Sequence, residues 1–248
     1  LLTNGGQMED YWGLDKASRP MLPSIGIPTT AGTGSEAQSF ALISREKTHL
    51  KMACGDKKAR FRAVILDPAL LTTVPQKVAA VTGIDAISHA IESYVCTKRN
   101  PIAQMFAREA WRLLENNFAI ILKEPENLAA QGNMLLGAHF AGMAIENSIL
   151  GAAHPCANPL TATYGIAHGI AVGLMLPHVI RFNGPAVAAL YGELASLTKN
   201  PTSDLRESVI QLKAAAGLPQ QLRECGVEKS ALPELAKAAA AVMAPAMP

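Results

Sequence analysis

The spacing of apolar residues changes near residue 75. Before that point, apolar residues form short runs or alternate with polar ones between Gly, Pro and polar turns, which is typical of strands. After it, alanine becomes frequent and apolar residues recur every three or four positions, which indicates helices. Short strands are predicted within "PSIGIPTTAG", "SFALIS", "KMACGD" and "AVILDP". The pattern therefore predicts a small α/β segment followed by an all-helical one.

The helical part contains six predicted helices that Pro and Gly interrupt or end. They cover residues 78–95, 101–122, 127–154, 168–183, 186–197 and 205–218. No internal period indicates a repeat array. With 248 residues, the chain is long enough for one large domain or two modest ones.

Composition narrows the class of protein. Hydrophobic residues make up 49% and charged residues 17% of the chain, which indicates a globular protein with a filled core. The net charge of +2 and the scattered basic residues give no reason to expect a nucleic-acid or membrane-surface partner. No signal peptide and no uninterrupted apolar run of the roughly 18 residues needed to span a membrane is found. Four cysteines without a CxxC pair predict a reducing, cytoplasmic compartment.

One candidate for chemistry lies in "GIDAISHAIESY", where Asp85 and His89 stand four residues apart in a predicted helix. Four residues are about one helical turn, so both side chains project from the same face. Such a pair can hold a metal ion, or it can form an ordinary hydrogen-bonded contact within the helix. The spacing alone leaves both interpretations open.

Two further histidines lie where predicted helices end or begin. His154 stands where a helix gives way to chain punctuated by proline, and His168 stands where the next helix starts. The two helix ends can bring these imidazoles towards Asp85 and His89. Three neutral imidazoles and one carboxylate suit a divalent cation such as Fe²⁺ or Zn²⁺. The other histidines are predicted to be a loop residue, a helix residue near the core and a helix-packing residue: His49, His139 and His178.

Several separated motifs agree in order and spacing with one known family. "IPTTAGTGSE", "TGIDAISHAIESY", "AAHPCANPL" and "GIAHGIAVGLMLPHVIRFN" resemble the iron-dependent, or group III, alcohol dehydrogenases. The resemblance runs from about Asn4 to about Asn183. It implies an α/β dinucleotide-binding domain followed by a helical domain, a dehydroquinate-synthase-like architecture with the active site between them. We accordingly predict that residues 1–75 are the C-terminal part of an α/β nucleotide-binding domain and residues 76–248 an all-helical metal-binding domain.

The resemblance also implies the chemistry and its residues. It implies a metal-dependent hydride transfer between an alcohol or aldehyde and NAD(P), with Fe²⁺ or Zn²⁺ as the metal. It implies a homo-oligomer for the full-length protein, and no catalytic side chain besides the metal ligands. The implied ligands are Asp85, His89, His154 and His168. The residues implied to contact the cofactor are Thr29, Thr30, Thr33, Ser35, Lys51 and Leu71.

The sequence departs from the family pattern at two places. It starts with Leu1, and "LLTNGG" reads like a helix end with a glycine stop, so we expect the chain to begin inside a longer protein. The family's Gly-Gly-Gly-Ser pyrophosphate loop is absent, so we expect weak cofactor binding by the chain as given. Asn158 replaces a histidine thought to relay a proton in many members, and asparagine cannot titrate near neutral pH.

Two other functions stay open at this stage. A lyase of the sugar-phosphate cyclase type has the same two-domain layout, a metal and NAD, but would need basic residues around a phosphate-bearing substrate. An inactive metal-binding fragment is the second alternative. The identity of the alcohol, the choice between NAD and NADP and the choice between iron and zinc are not predicted.

Overall fold

A computed structural model describes residues 1–45, 51–198 and 204–243. His49 therefore lies outside the described residues. The strands described within this part all precede residue 65, and the α-helices all begin at residue 76 or later. This arrangement confirms the predicted class of an α/β segment followed by a helical one. The boundary between two domains at residues 75 and 76 stays a prediction.

Five short strands of the described chain form two small sheets. The strands are β1 Gly13–Leu14, β2 Ile25–Gly26, β3 Phe40–Ser44, β4 Lys51–Gly55 and β5 Ala63–Val64. In the first sheet, β4 lies between β1 and β3; it runs parallel to β1 and antiparallel to β3, with Phe40 opposite Gly55 and Ser44 opposite Lys51. The second sheet consists of β2 and β5, which are parallel. All four predicted strands are present, whereas β1 has only two residues and shows no alternation that could predict it.

Seven α-helices make up most of the rest of the described chain. The helices are α1 Gln76–Val95, α2 Pro101–Lys123, α3 Leu128–Glu146, α4 Ala153–Tyr164, α5 His168–Ser196, α6 Leu205–Ala215 and α7 Leu232–Met243. Asn100 and Asn127 cap α2 and α3, where their side-chain oxygens accept the N–H groups of Ala103 and Ala130 at 3.0 and 3.1 Å.

One predicted helix boundary is wrong. The helix predicted for 127–154 ends at Glu146, and α4 begins at Ala153 after a short irregular segment. The break predicted between residues 183 and 186 corresponds to a kink in α5, where Val187 just after Pro185 has non-helical angles (φ −134°, ψ 24°) and separates two helical stretches. Proline bends a helix without necessarily ending it, because the ring removes one hydrogen bond and crowds the preceding turn.

Helix α1 is the centre of the helical core. Every residue from Gly83 to Val95 is buried, and α1 packs against α2, α3 and α5. Trp111 of α2 is fully buried, and its indole N–H donates to the Leu194 carbonyl of α5 at 2.8 Å. Polar side chains on α1 are therefore surrounded by protein and need partners there.

Among the described helices, α5 is long and apolar enough by length and composition to cross a membrane, and here it packs against α1, α4 and α6.

The loop before β3 lies directly on α3. Gly34 has φ +59°, and a Cβ atom there would stand 2.6 Å from the Ala138 carbonyl oxygen. A Cβ atom on Gly142 would stand 2.3 Å from the Gly34 carbonyl oxygen. The two backbones can approach this closely because both residues lack a side chain. This contact joins the strand-containing part to the helical part.

A glycine-to-alanine pair on α3 tests this contact. Gly142→Ala should lower the free energy of unfolding by about 1–3 kcal/mol, because the new methyl group displaces the loop. Gly132→Ala on the same helix is the matched control, since its Cβ would meet only Pro68 at an ordinary 3.8 Å. The control should be neutral or raise stability by up to about 1 kcal/mol. Urea unfolding followed by circular dichroism measures both; equal midpoints would contradict the described contact.

Candidate metal centre

Helix α1 presents three polar side chains on one face. Asp85, His89 and Glu92 follow one another at spacings of four and three residues, and all three are buried, with 6%, 6% and 2% of their surface exposed. That spacing stacks them along one stripe of the helix. The predicted pairing of Asp85 and His89 on one face is therefore present. Glu92 extends the pair by one further turn.

The beginnings of two other helices supply the remaining imidazoles. His154 lies in the first turn of α4, so the prediction that a helix ends at this residue is wrong. Pro155 fits inside this turn, because backbone N–H groups there have no intrahelical partner. His168 is the first residue of α5, as predicted. A Cβ atom on Gly169 would stand 2.1 Å from the Val81 carbonyl oxygen, so the start of α5 lies directly against α1.

The four side chains converge on one point. The Asp85 Oδ1 atom lies 3.8 Å from His89 Nε2, 3.6 Å from His154 Nε2 and 3.9 Å from His168 Nε2. The rings of His89 and His154 are stacked at 4.7 Å, and the His168 ring stands edge-on to His154 at 5.5 Å. All three Nε2 atoms therefore face the same carboxylate oxygen at distances beyond hydrogen bonding.

This arrangement fits a divalent cation. Asp85 Oδ1 and His154 Nε2 are buried, and neither has a hydrogen-bond partner among the described residues. Buried polar atoms without partners are costly, and a shared cation would satisfy both. Nitrogen and oxygen ligands about 2.1 Å from one ion stand roughly 3.4 Å apart in a tetrahedron, close to the observed separations. Asp85, His89 and His154 have ligand atoms within 4.8 Å of one another, whereas His168 approaches this group through its 3.9 Å distance to Asp85 Oδ1.

Glu92 orients His154. One Glu92 oxygen lies in a short hydrogen bond with His154 Nδ1, and the other accepts the Ala153 N–H at 2.6 Å. With Nδ1 as the donor, loss of the second ring proton leaves the Nε2 lone pair facing Asp85, which is the tautomer that a metal requires. Sequence reasoning missed Glu92. The signal for it was present, because Glu92 is seven residues after Asp85 and thus on the same helical face.

The pKa values of the four side chains in the cluster differ from their ordinary values. Burial opposes ionisation of Asp85, but the surrounding histidines keep the pKa of its carboxyl group below the ordinary value. Burial lowers the pKa of His168 to about 4, and burial likewise lowers the pKa of His89, so both imidazoles are neutral at pH 7. Burial also disfavours the charged form of His154, but the Glu92 and Asp85 carboxylates outweigh it and raise the pKa of His154 to about 9. The proton on His154 neutralises part of the buried negative charge.

The cluster forms the floor of a cleft of about 680 Å³ between the strands and the helices. Thr33, Ser35 and Lys51, three of the predicted cofactor contacts, line the same cleft. Burial lowers the pKa of Lys51, while the charge of Asp85 opposes this effect. Apolar residues cover the remaining walls, among them Phe40, Phe61, Ile145 and Leu150.

The other predicted cofactor contacts lie elsewhere. Thr30 and the buried Leu71 line a small neighbouring cavity, and Thr82 borders both that cavity and the cleft. Thr29 is exposed and lines neither of these two spaces. The structure thus brings together three of the six predicted contacts, and the role of the six residues stays a prediction.

Asn158 lies one helical turn after His154 and faces a second cavity of about 580 Å³. This cavity shares Leu150 and His154 with the cleft, and Glu92 also borders it. His178, predicted to pack within a helix, is exposed on α5. His139 lies on α3, with its Nδ1 atom 3.1 Å from a Glu36 carboxylate oxygen.

Sequence comparison places these features among known proteins. The Fe-containing alcohol dehydrogenase family, C-terminal, matches residues 79–247, and the family described as iron-containing alcohol dehydrogenase matches residues 1–68. Alcohol dehydrogenase 4 of Schizosaccharomyces pombe is 40% identical over 79% of this chain and 47% of its own length. NAD-dependent methanol dehydrogenase of Bacillus methanolicus is 32% identical over 96% of this chain and 65% of its own length. The chain thus spans about half to two thirds of these relatives.

Comparison with solved structures points to the same family as the sequence comparison. The crystal structure of a 1,3-propanediol oxidoreductase matches with a TM-score of 0.90 and 30% identity, over 96% of this chain and 65% of that one. Sulfoacetaldehyde reductase from Bifidobacterium kashiwanohense, solved in complex with NAD⁺, matches with a TM-score of 0.85 and 29% identity, over 96% and 64%. The family match covers more than half of the chain and agrees with the convergent carboxylate and imidazoles, so this protein belongs to the iron-containing alcohol dehydrogenase family.

Proposed function

We propose that the protein is a metal-dependent alcohol dehydrogenase that transfers hydride between an alcohol or aldehyde and NAD(P). The observation that carries the proposal is the convergence of three imidazole Nε2 atoms on the Asp85 Oδ1 atom, at 3.6–3.9 Å, on the floor of a cleft. We propose Asp85, His89, His154 and His168 as the ligands of Fe²⁺, with Zn²⁺ as the alternative. The same donor atoms suit both cations.

The proposed ligands and Glu92 favour this chemistry through their charge and their orientation. One carboxylate and three neutral imidazoles leave a divalent cation a net charge of about +1, which keeps it electrophilic. When bound, the cation supplies Lewis acidity, which acidifies an alcohol hydroxyl group and polarises an aldehyde carbonyl. Glu92 holds the His154 ring in the tautomer whose Nε2 faces the centre.

The cleft above the centre has the chemistry for a nicotinamide cofactor, which would accept the hydride. The hydroxyl groups of Thr33 and Ser35 and the ammonium group of Lys51 suit ribose and phosphate oxygens. Apolar side chains such as Ile145 and Leu150 suit an alkyl chain or the nicotinamide ring. The names of two relatives support this assignment, since one is an NAD-dependent methanol dehydrogenase and one reductase was solved with NAD⁺.

The proposal extends to the domains, the location and the assembly of the protein. We propose two domains that meet at residues 75 and 76, with the cleft between them. We propose a cytoplasmic location, because the four cysteines are free. We also propose a homo-oligomer for the complete protein, and a small alcohol or aldehyde rather than a macromolecule as its partner.

Turnover by the metal-loaded chain tests the function directly. The purified protein is loaded without oxygen with Fe²⁺ or Zn²⁺, and NADH absorbance is followed with a series of primary alcohols and aldehydes. The cofactor concentration is raised until the rate saturates, because weak cofactor binding is expected of the chain as given. The proposal predicts turnover with at least one alcohol–aldehyde pair and none after chelation. Tight binding of the cation without NADH binding or turnover would contradict hydride transfer and leave metal binding alone.

Metal content tests the ligand set. His154→Ala should weaken cation affinity by more than about 100-fold, because loss of a direct ligand costs more than loss of an outer-shell partner. The matched control is His178→Ala, which removes an exposed imidazole on α5 outside the cluster. Elemental analysis after gel filtration should find metal in the control and not in His154→Ala. Equal metal content in the two variants would exclude His154 as a ligand.

The raised pKa of His154 predicts how metal affinity depends on pH. Below about pH 9 the metal-free protein carries a proton on His154, which must leave before Nε2 can bind the cation, so affinity should rise about tenfold per pH unit up to that value. Glu92→Gln removes the carboxylate that raises this pKa, so the plateau should begin at a lower pH. The same variant should lose about 10- to 100-fold in affinity above pH 9.

Chelator competition between pH 6 and pH 10 measures both quantities. If the two proteins have the same pH profile, Glu92 does not control the protonation of His154. An unchanged affinity at high pH would show that Glu92 does not orient the ring.

A further inference from the structure

Three segments of the cleft wall meet at the carboxylate of Glu146, the last residue of α3. Its Oε2 atom accepts the Ser39 N–H at 2.9 Å, and its Oε1 atom accepts the Ser39 hydroxyl at 2.9 Å. The Arg60 guanidinium group forms an ion pair with Oε1 and also donates through Nε at 3.1 Å. The Glu146 side chain is only 7% exposed, whereas that of Arg60 is half exposed. A nearly buried carboxylate is thus satisfied by two segments far from it in sequence.

Each partner in this clasp, defined as Ser39, Arg60 and Glu146, adjoins a side chain that faces the cleft. Ser39 immediately precedes Phe40 at the start of β3, and Glu146 immediately follows Ile145 on α3. Arg60 stands between two more lining residues, Ala59 and Phe61. The clasp therefore ties the wall formed by the strands and their loops to the wall formed by α3.

The loop that precedes β3 makes other contacts with α3 that do not involve Glu146. Gly34 packs on Gly142, and the Glu36 carboxylate lies 3.1 Å from His139 Nδ1. These contacts hold the first part of the loop in place without the clasp. Glu146 adds control over the positions of β3 and of the Arg60 loop. Its loss should therefore alter the shape of the cleft more than the stability of the fold.

We propose that Glu146 is a positioning residue that sets the width of the cleft. Through Ser39 and Arg60 it holds Phe40 and Phe61 in the wall of the cleft that Ile145 also lines, so that the cleft accepts a flat nicotinamide ring and a short alkyl chain. This inference rests on the proposed function. The described hydrogen bonds of Glu146 go to Ser39 and Arg60, and none goes to the four residues of the metal centre. The clasp therefore acts on binding rather than on the hydride step.

Steady-state kinetics of the metal-loaded protein test this role. Glu146→Ala should raise KM for NAD⁺ and for the alcohol by about tenfold, because Phe40 and Phe61 lose their fixed positions in the cleft wall, while kcat changes less than about twofold. Ser39→Ala and Arg60→Ala should each give a smaller rise of about threefold. Alcohols with a bulkier chain should gain kcat/KM in Glu146→Ala relative to ethanol.

The matched control is Glu109→Ala, which breaks an exposed ion pair with Arg112 on α2. It should leave both KM values and kcat unchanged. A purely structural role for Glu146 would lower the active fraction and hence kcat at unchanged KM. That pattern, or wild-type KM values in Glu146→Ala, would overturn the inference while the proposed function stands.

Hydrogen exchange separates failure of the clasp from failure of the function. Amides of residues 39–44 should exchange about tenfold faster in Glu146→Ala than in Glu109→Ala, while the amides of α2 are unchanged. If the wild-type protein neither binds NADH nor turns over alcohols, the proposed function fails. The clasp is then judged by exchange, and wild-type exchange rates at residues 39–44 would overturn it.

Discussion

A carboxylate buried at the centre of a helical core carries a large desolvation cost unless positive charge lies beside it. Asp85 is in this position, on helix α1, against which α2, α3 and α5 pack. Three imidazole nitrogens within 3.9 Å of its Oδ1 atom compensate that cost only in part, because two of these imidazoles are neutral at pH 7. Helix α5 packs against α1, and α4 packs against α5, so that their first turns place His168 and His154 beside the carboxylate.

The centre is supported from two directions. Within the helical part, Glu92 of α1 holds the first turn of α4, because this one buried carboxylate both orients the His154 ring and accepts the backbone N–H group of Ala153. From the other side, the contact of Gly34 with Gly142 brings the strands against α3 and so forms the cleft above the centre. The proposed cation site and the proposed space for the hydride acceptor thus arise from the same packing of α1 and α3 with their neighbours.

Periodicity predicted much of this structure, and the failures have physical causes. Four strands and most helices follow from apolar spacing, and the Asp85–His89 pair follows from one helical turn. Spacing could not assign His154 and His168 to the same site; the family motifs did. The break after Glu146 was missed because the apolar spacing continues through "NSILGAAH". Glu92 was missed although it lies seven residues after Asp85, on the same helical face. Glu146 was missed because an isolated glutamate in a helix normally lies in solvent, and only tertiary contacts show that it is buried.

The account depends on one cation bound by Asp85 and three imidazoles. X-ray absorption spectroscopy of the protein loaded with one equivalent of Fe²⁺ or Zn²⁺ tests this most directly. It should show nitrogen and oxygen neighbours at about 2.0–2.2 Å together with the outer-shell scattering of about three imidazole rings. A spectrum of oxygen neighbours alone, without imidazole scattering, would show that the cation binds elsewhere and would contradict the account.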